Sequence, residues 1–217
     1  MYFYLINDME TIILCIDTCG IKFSVALICN AQLIDEYTCD EIHMQCEKLI
    51  IAIETLLSNN NLHYNQINLI AVTSGPGSFN GIRIGMSAAQ GISIAMGIKI
   101  ISVSTMQMIL FQAININYTI QFPVAICFMA DELTSFIQQF ADINDTNQSI
   151  IEVNREQLAS NYHNLITFDM QNFGLVNANI SNAAAAGYAA INRHNLNCDL
   201  FYGKMPSIHQ SKKSLLL

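Results

Sequence analysis

Apolar and polar positions change period several times along the chain, and each change marks an element. "IILCID" (12–17) is a short apolar run that ends on an acid, the pattern of a buried strand. Beyond "TCGI", the residues Phe23, Val25 and Leu27 alternate with Lys22, Ser24 and Ala26. Period-two spacing across a glycine-containing turn predicts a hairpin, and "QLIDEYTC" extends it as an antiparallel meander. "DEIHMQCEKLIIAIETLLSNNN" then switches to helical spacing, with Ile42, Cys46, Leu49, Ile50, Ile53 and Leu57 on one stripe. Asp40 and Glu41 complement the dipole at its start, and the Asn run closes it. Met44 and Ile51, seven residues apart, lie off that stripe and suggest a second apolar face, open either to broader core burial or to a partner helix.

"INLIAVTSG" reads as the next strand, "FNGIRIGMSAAQGISIAMG" as a helix, "IKIISVS" as a strand and "TMQMILFQAI" as a helix with Ser104 as N-cap. The order β-β-β-α-β-α-β-α therefore fills residues 12 to about 116. The second half is less legible. "FPVAICFMA" and "TSFIQQFAD" look like a strand pair, "SIIEV" a weaker strand, "NREQLASNY" a short helix, "NLITF" a strand, and "NISNAAAAGYAAINRH" an alanine-rich helix. The expected architecture is α/β in two small lobes in close contact. Residues 1–116 form the first, with 1–11 as an extension, and 117–217 form a smaller and more divergent second.

Composition sharpens this picture at three points. The chain is 52% hydrophobic and only 12% charged, with a mean hydropathy of +0.34. Either a membrane segment or a large buried surface explains that. The uncharged window from Ile100 to Ala130 is interrupted by Ser102, Ser104, Gln107, Gln112, Asn115, Asn117, Gln121 and Pro123, so it falls short of a bilayer span. "MYFYLINDME" has neither a basic start nor a small-residue cleavage site, and the expectation is a cytoplasmic protein. The net charge of −8, with nine scattered basic residues, argues against this chain gripping nucleic acid alone. Seven cysteines without a C-x-x-C pair read as buried small hydrophobes, not as disulfides or a zinc site.

The stretch with the strongest chemical look is "TSGPGSFNGIRIGMSAAQG" (73–91). A P-loop needs Lys after its last glycine, and Ile82 stands there; Gly75, Gly77 and Gly81 miss the dinucleotide fingerprint by one residue. No G-x-S-x-G nucleophile elbow is present. Within the helix, Gly81, Gly85, Ala88, Ala89 and Ile92 share one face. Two helical glycines four apart cost about 1 kcal/mol each relative to alanine, and close approach by another element is the physical reason to keep them. That element is either the chain's own sheet or another chain. Arg83 is expected to fix the loop through an ion pair, and His43 to cap or meet solvent. His63, His163, His194 and His209 fall on separate elements. Asp17 as a general base lacks a visible second acid.

"ILCIDTCGIKFSVAL", then "GPGSFNGIRIGMSAAQG" and "IISVST" in order, resemble the bacterial TsaB (YeaZ) family, convincingly over residues 12 to about 112. The resemblance implies the actin-like, sugar-kinase-like (ASKHA, ribonuclease H-like) fold. It also implies a role beside the catalytic paralogue TsaD in making N6-threonylcarbamoyladenosine at position 37 of tRNA, with the ATPase TsaE joining the complex. Asp17, Thr18 and Gly20 fall where active members of the fold cradle phosphate and hold metal, and are vestigial here on this reading. The paralogue's H-x-x-x-H metal ligands align with Thr105 and Ile109, of which Ile cannot ligate at all. No catalytic or metal-ligating residue is therefore expected. No tightly bound cofactor is expected either, and any ATP or ADP only at the complex interface.

The expected role is a non-catalytic dimerisation subunit that meets tRNA indirectly and forms a homodimer when alone. Met44, Ile51, Gly81, Ile84, Gly85 and Ala88 are the expected partner-binding positions. The alternative is a small ASKHA ATPase or kinase using Asp17 and Thr18 on phosphate, for which the isolated Gly174 and Gly187 supply no obvious second glycine-rich contact. An old peptidase label for the superfamily has no zinc-ligand spacing behind it. The family's Asp-Ala-Arg run departs here, with Asp131 kept but Leu133 where the Arg would stand. The start is either Met1 or Met9, which opens "METIILCID".

Overall fold

The computed structural model describes residues 11–115, 120–129, 134–145, 149–154, 164–169 and 181–191. A first sheet has strand order β3-β2-β1-β4-β5, built from β1 (Ile12–Asp17), β2 (Ser24–Cys29), β3 (Gln32–Thr38), β4 (Leu69–Thr73) and β5 (Lys99–Val103). The first three strands form an antiparallel meander, and β4 and β5 run parallel to β1. Helices α1 (Gln45–Asn59), α2 (Phe79–Met96) and α3 (Thr105–Asn115) provide the crossovers, in the expected order. A second sheet repeats the theme as β8-β7-β6-β9, from β6 (Val124–Met129), β7 (Thr134–Phe140), β8 (Ile151–Asn154) and β9 (Leu165–Asp169). Here too a meander is followed by a parallel strand, β9 beside β6. Helix α4 (Asn182–Ile191) is the alanine-rich segment. The short helix expected at "NREQLASNY" lies outside the described residues, as do Asp131, Leu133 and Gly174.

Both faces of the first sheet are covered, which explains its near-continuous apolar strands. Ile12, Leu14 and Ile16 join Val25, Leu27, Ile70 and Val72 beneath α1 and α2. The alternate residues Ile13 and Cys15 join Ala26, Ile28 and Ala71 beneath α3 and α4, where Phe128, Phe136 and Phe140 of the second sheet meet them. The polar-out alternation expected for β2 is therefore absent: Ser24 and Ala26 are both fully buried, because α4 returns from late in the chain to cover that face. Its residues Ala183–Ala186 are small enough to let the helix approach closely, and a Cβ on Gly187 would overlap the Cys15 thiol. Ser104 caps α3 as expected: its hydroxyl accepts from the Gln107 amide at 3.2 Å, and Gln107 Oε1 accepts from the Ser104 amide at 3.3 Å.

Helix α1 is rotated from its expected setting. Leu49, Ile53 and Leu57 of the expected stripe are buried, joined by Gln45, Ala52 and Leu56, while Ile42, Cys46 and Ile50 are exposed. The cause lies at its start, where the Gln45 amide donates to the carbonyls of Gly20 at 2.9 Å and Ile21 at 3.2 Å and fixes the face turned inward. Asp40 and Glu41 precede the helix and pair with Lys22 and Lys48 instead. Asn60 closes it, donating to Leu56 O and Asp35 Oδ2, both at 2.8 Å. Among the described residues no helix is long and apolar enough to cross a membrane.

Candidate functional site

The glycine-rich loop wraps the turn that follows β1. Ser78 caps α2 by accepting from the Gly81 amide at 3.2 Å, and its own amide donates to Cys19 O at 2.7 Å. The Thr18 hydroxyl donates to Gly81 O at 2.8 Å. A Cβ on Gly81 would overlap the Thr18 carbonyl oxygen, one on Gly85 the Thr18 hydroxyl, and one on Gly77 the Cys19 carbonyl. The close approach that the two helical glycines require is thus made by the chain's own first turn. Gly81 and Gly85 are buried and do not face a partner, which corrects their expected placement. Ile84 and Ala88 are half-buried against the core, as is Met44, while Ile51 is 62% exposed. Arg83 lies over the Phe79 ring at 5.3 Å, and no described acid pairs with it.

Asp17, at the end of β1, is fully buried and surrounded by donors. Its Oδ1 accepts from the Thr73 hydroxyl at 2.6 Å and the Cys19 amide at 3.3 Å, and its Oδ2 from Asn182 Nδ2 at 3.1 Å. Asn182 in turn accepts from Gln112 Nε2 at 2.9 Å, so one side chain at the start of α4 ties α3 to β1. The Ala183 amide donates to Ser24 Oγ, and the Ser181 amide to Glu36 Oε2. Burial raises the Asp17 carboxyl above its ordinary range, and the three donors pull it back in part. The Cys19 thiol donates to Thr73 Oγ1 at 3.1 Å. Burial, followed by the neighbouring Asp17 charge, pushes that thiol up to about 12. A thiol that is protonated and donating is no nucleophile at neutral pH.

Chemically this arrangement is closed. Every Asp17 oxygen has a donor from the chain itself, and no solvent reaches it. Thr105 and Ile109 are both buried on α3. Among the described residues no group of three His, Cys, Asp or Glu side chains is set to hold a metal. His43 is exposed, with its amide on Ile21 O, and His63 is exposed beside a 3-10 turn at Tyr64–Gln66; the other three histidines lie outside the described residues. Sequence reasoning missed Asn182 and Thr73. "SNAAAAG" signals a capped helix start, but nothing local ties Asn182 to an acid 165 positions away.

A family model described as "TsaD: tRNA N6-adenosine threonylcarbamoyltransferase" matches residues 43–199. TsaB of Buchnera aphidicola subsp. Baizongia pistaciae is 34% identical over 105 residues, covering 46% of this chain and 47% of the relative. TsaB of Escherichia coli K12 is 34% identical over 95 residues, covering 43% and 40%. The chain belongs to this family, on its TsaB (YeaZ) side. It spans about half the length of the curated TsaB relatives it matches. YeaZ from Pseudomonas aeruginosa superimposes with a TM-score of 0.58 over 70% of this chain and 71% of that one, at 20% identity. That likeness carries the fold: the paired sheets of this TsaB-family chain are ASKHA, ribonuclease H-like.

Proposed function

We propose that this chain is a non-catalytic subunit that binds a TsaD-like threonylcarbamoyltransferase and supports N6-threonylcarbamoyladenosine formation at adenosine 37 of tRNA. The observation that carries the proposal is the outer surface of α1 and α2, side by side on the first sheet. Ile50 and Ile51 on α1 and Ile94 on α2 stand there 44%, 62% and 84% exposed, and Ile42, just before α1, is 55% exposed. Large exposed apolar side chains on neighbouring helices support an interaction surface, since a permanent interface is more apolar than ordinary surface. The closed Asp17 network supports a role without chemistry of its own, leaving catalysis to the partner. A TsaE-like ATPase joins the assembly on this reading, tRNA is met through the partner, and two copies pair through the same face when the partner is missing.

The test is light scattering after size-exclusion chromatography of this chain mixed with the same organism's TsaD-like subunit. Ile51→Glu and Ile94→Glu are the variants, and circular dichroism checks their folding. A one-to-one complex that both variants lose while staying folded is the expected result. No complex, joined to ATP hydrolysis by the lone chain, overturns the proposal in favour of an ATPase or kinase.

A further inference from the structure

At the end of the first lobe opposite Asp17, a groove of about 630 Å3 lies between the last turn of α1, the 3-10 turn and the end of α2. Helix α2 spans 18 residues, which puts its two ends about 25 Å apart. The volume lies within the range of ligand-binding clefts. Leu57, Leu62 and Met96 give it an apolar lining, Tyr64 adds an aromatic ring, and Glu54 is its one carboxylate.

The one fixed charge of the lining is negative, with His63 as its one imidazole. None of the lining residues is Lys or Arg. Helices α1 and α2 both end here and neither carries a basic residue in its last turn, so the negative ends of two helix dipoles converge on the groove. Several of the α1 carbonyls are already taken by Asn60, Asn61 and Leu62, which leaves Glu54 as the directional acceptor. Burial, and after it the Glu54 carboxylate, raise the Tyr64 phenol above its ordinary range, as expected for an acid beside the aromatic wall. Lys99, the nearest base along the chain, opens β5 and does not line the groove.

We infer that the groove takes a basic side chain, arginine or lysine, carried on an apolar segment of a partner polypeptide. Charge complementarity selects the cation. The apolar lining and the open side select a polypeptide over a free small cation, because Met96 is 41% exposed at the rim and needs an apolar cover. Ile50 and Ile51, also exposed, lie one helical turn before Glu54, so a segment that covers them delivers its basic residue to the carboxylate. The inference rests on the partner face proposed above, since Ile50 and Ile51 belong to it, and a peptide titration on the chain alone tests the groove separately from complex formation.

The experiment titrates the full 15N-labelled chain with the peptide Ac-Ile-Arg-Ile-NH2, its neutral counterpart Ac-Ile-Gln-Ile-NH2, and agmatine as a bare cation. The expected result is a set of amide shifts confined to residues 50–65 and Met96, produced by the arginine peptide. Glu54→Gln, on an exposed helical position, weakens that binding about threefold to fivefold, the yield of an exposed ion pair, and Glu54→Lys abolishes it. Equal binding of the glutamine peptide, an unchanged affinity in Glu54→Gln, shifts elsewhere, or no binding would overturn the assignment. Agmatine binding as tightly as the peptide overturns it as well, in favour of a small-cation site.

Discussion

Asn182 is the most exposing position at which to test how the Asp17 site is held shut. Replacing it with Ala removes one donor to a buried carboxylate and one acceptor from Gln112. A hydrogen bond to a charged group contributes about 1.5–3 kcal/mol and a neutral one about 1 kcal/mol, while alanine's better helix propensity returns about 0.5 kcal/mol. The expected net loss at neutral pH is about 2–3 kcal/mol of unfolding free energy. Its pH dependence follows from the direction of the Asp17 shift. The folded carboxyl sits above its ordinary 3.8, so Asp17 contributes stability that is fully present below that value and is lost as pH rises through the folded value. Asn182 is one of the donors that hold the folded value down. Without it that value climbs further, so the gap between variant and parent widens from acid toward neutral pH. Urea unfolding followed by far-UV circular dichroism, from about pH 5 to about pH 8, reads both quantities. A loss below about 1 kcal/mol that stays flat with pH would refute the reasoning, because Asp17 would then not depend on Asn182.

Three further outcomes follow from the packing. Gly187→Ala places a Cβ onto the Cys15 thiol and is expected to cost about 1–3 kcal/mol, with Cys15→Ala recovering part of it in the double variant; purely additive losses would contradict the contact. Asn30 and Ala31 form the β2–β3 turn with φ of 50° and 63°, so Ala31→Gly should raise the urea midpoint by an amount worth about 1 kcal/mol. Thiol labelling of the folded chain should modify exposed Cys46 well before buried Cys15, Cys19 and Cys127, and early labelling of Cys15 would mean that α4 leaves the sheet.

The first lobe was legible because its signals are local. A six-residue apolar strand, a period-two hairpin and a helix capped at Ser104 each declare themselves within a few positions. The rotation of α1 was not legible. Leu49, Ile53 and Leu57 can be flanked on the buried face by Cys46 and Ile50 or by Gln45, Ala52 and Leu56, and the choice is made by two hydrogen bonds from Gln45 to a turn more than twenty positions earlier. Gly81 and Gly85 show the same limit from the other side. Their spacing says that something comes close, but a helix face reads alike whether it meets Thr18 or another chain.

The candidate site fails to show in the sequence for a related reason. Its three elements, β1, β4 and α4, are brought together only by the topology, and its decisive residue stands at the start of a helix that looks like filler. That helix also bears on the unusual apolar content. A sheet covered on one face needs polar residues on the other, whereas this one is sandwiched, with Ala183–Ala186 sealing what would otherwise be a wet face. Much of the chain's hydropathy is therefore consumed internally, and the helical glycines Gly81 and Gly85 pack against Thr18 of the same chain. Among what the interior does not absorb are Ile50, Ile51 and Ile94 on α1 and α2. Because the same helices already bury a full stripe apiece, those residues add nothing to the core, and their exposure is the part of the composition that the proposed partner accounts for.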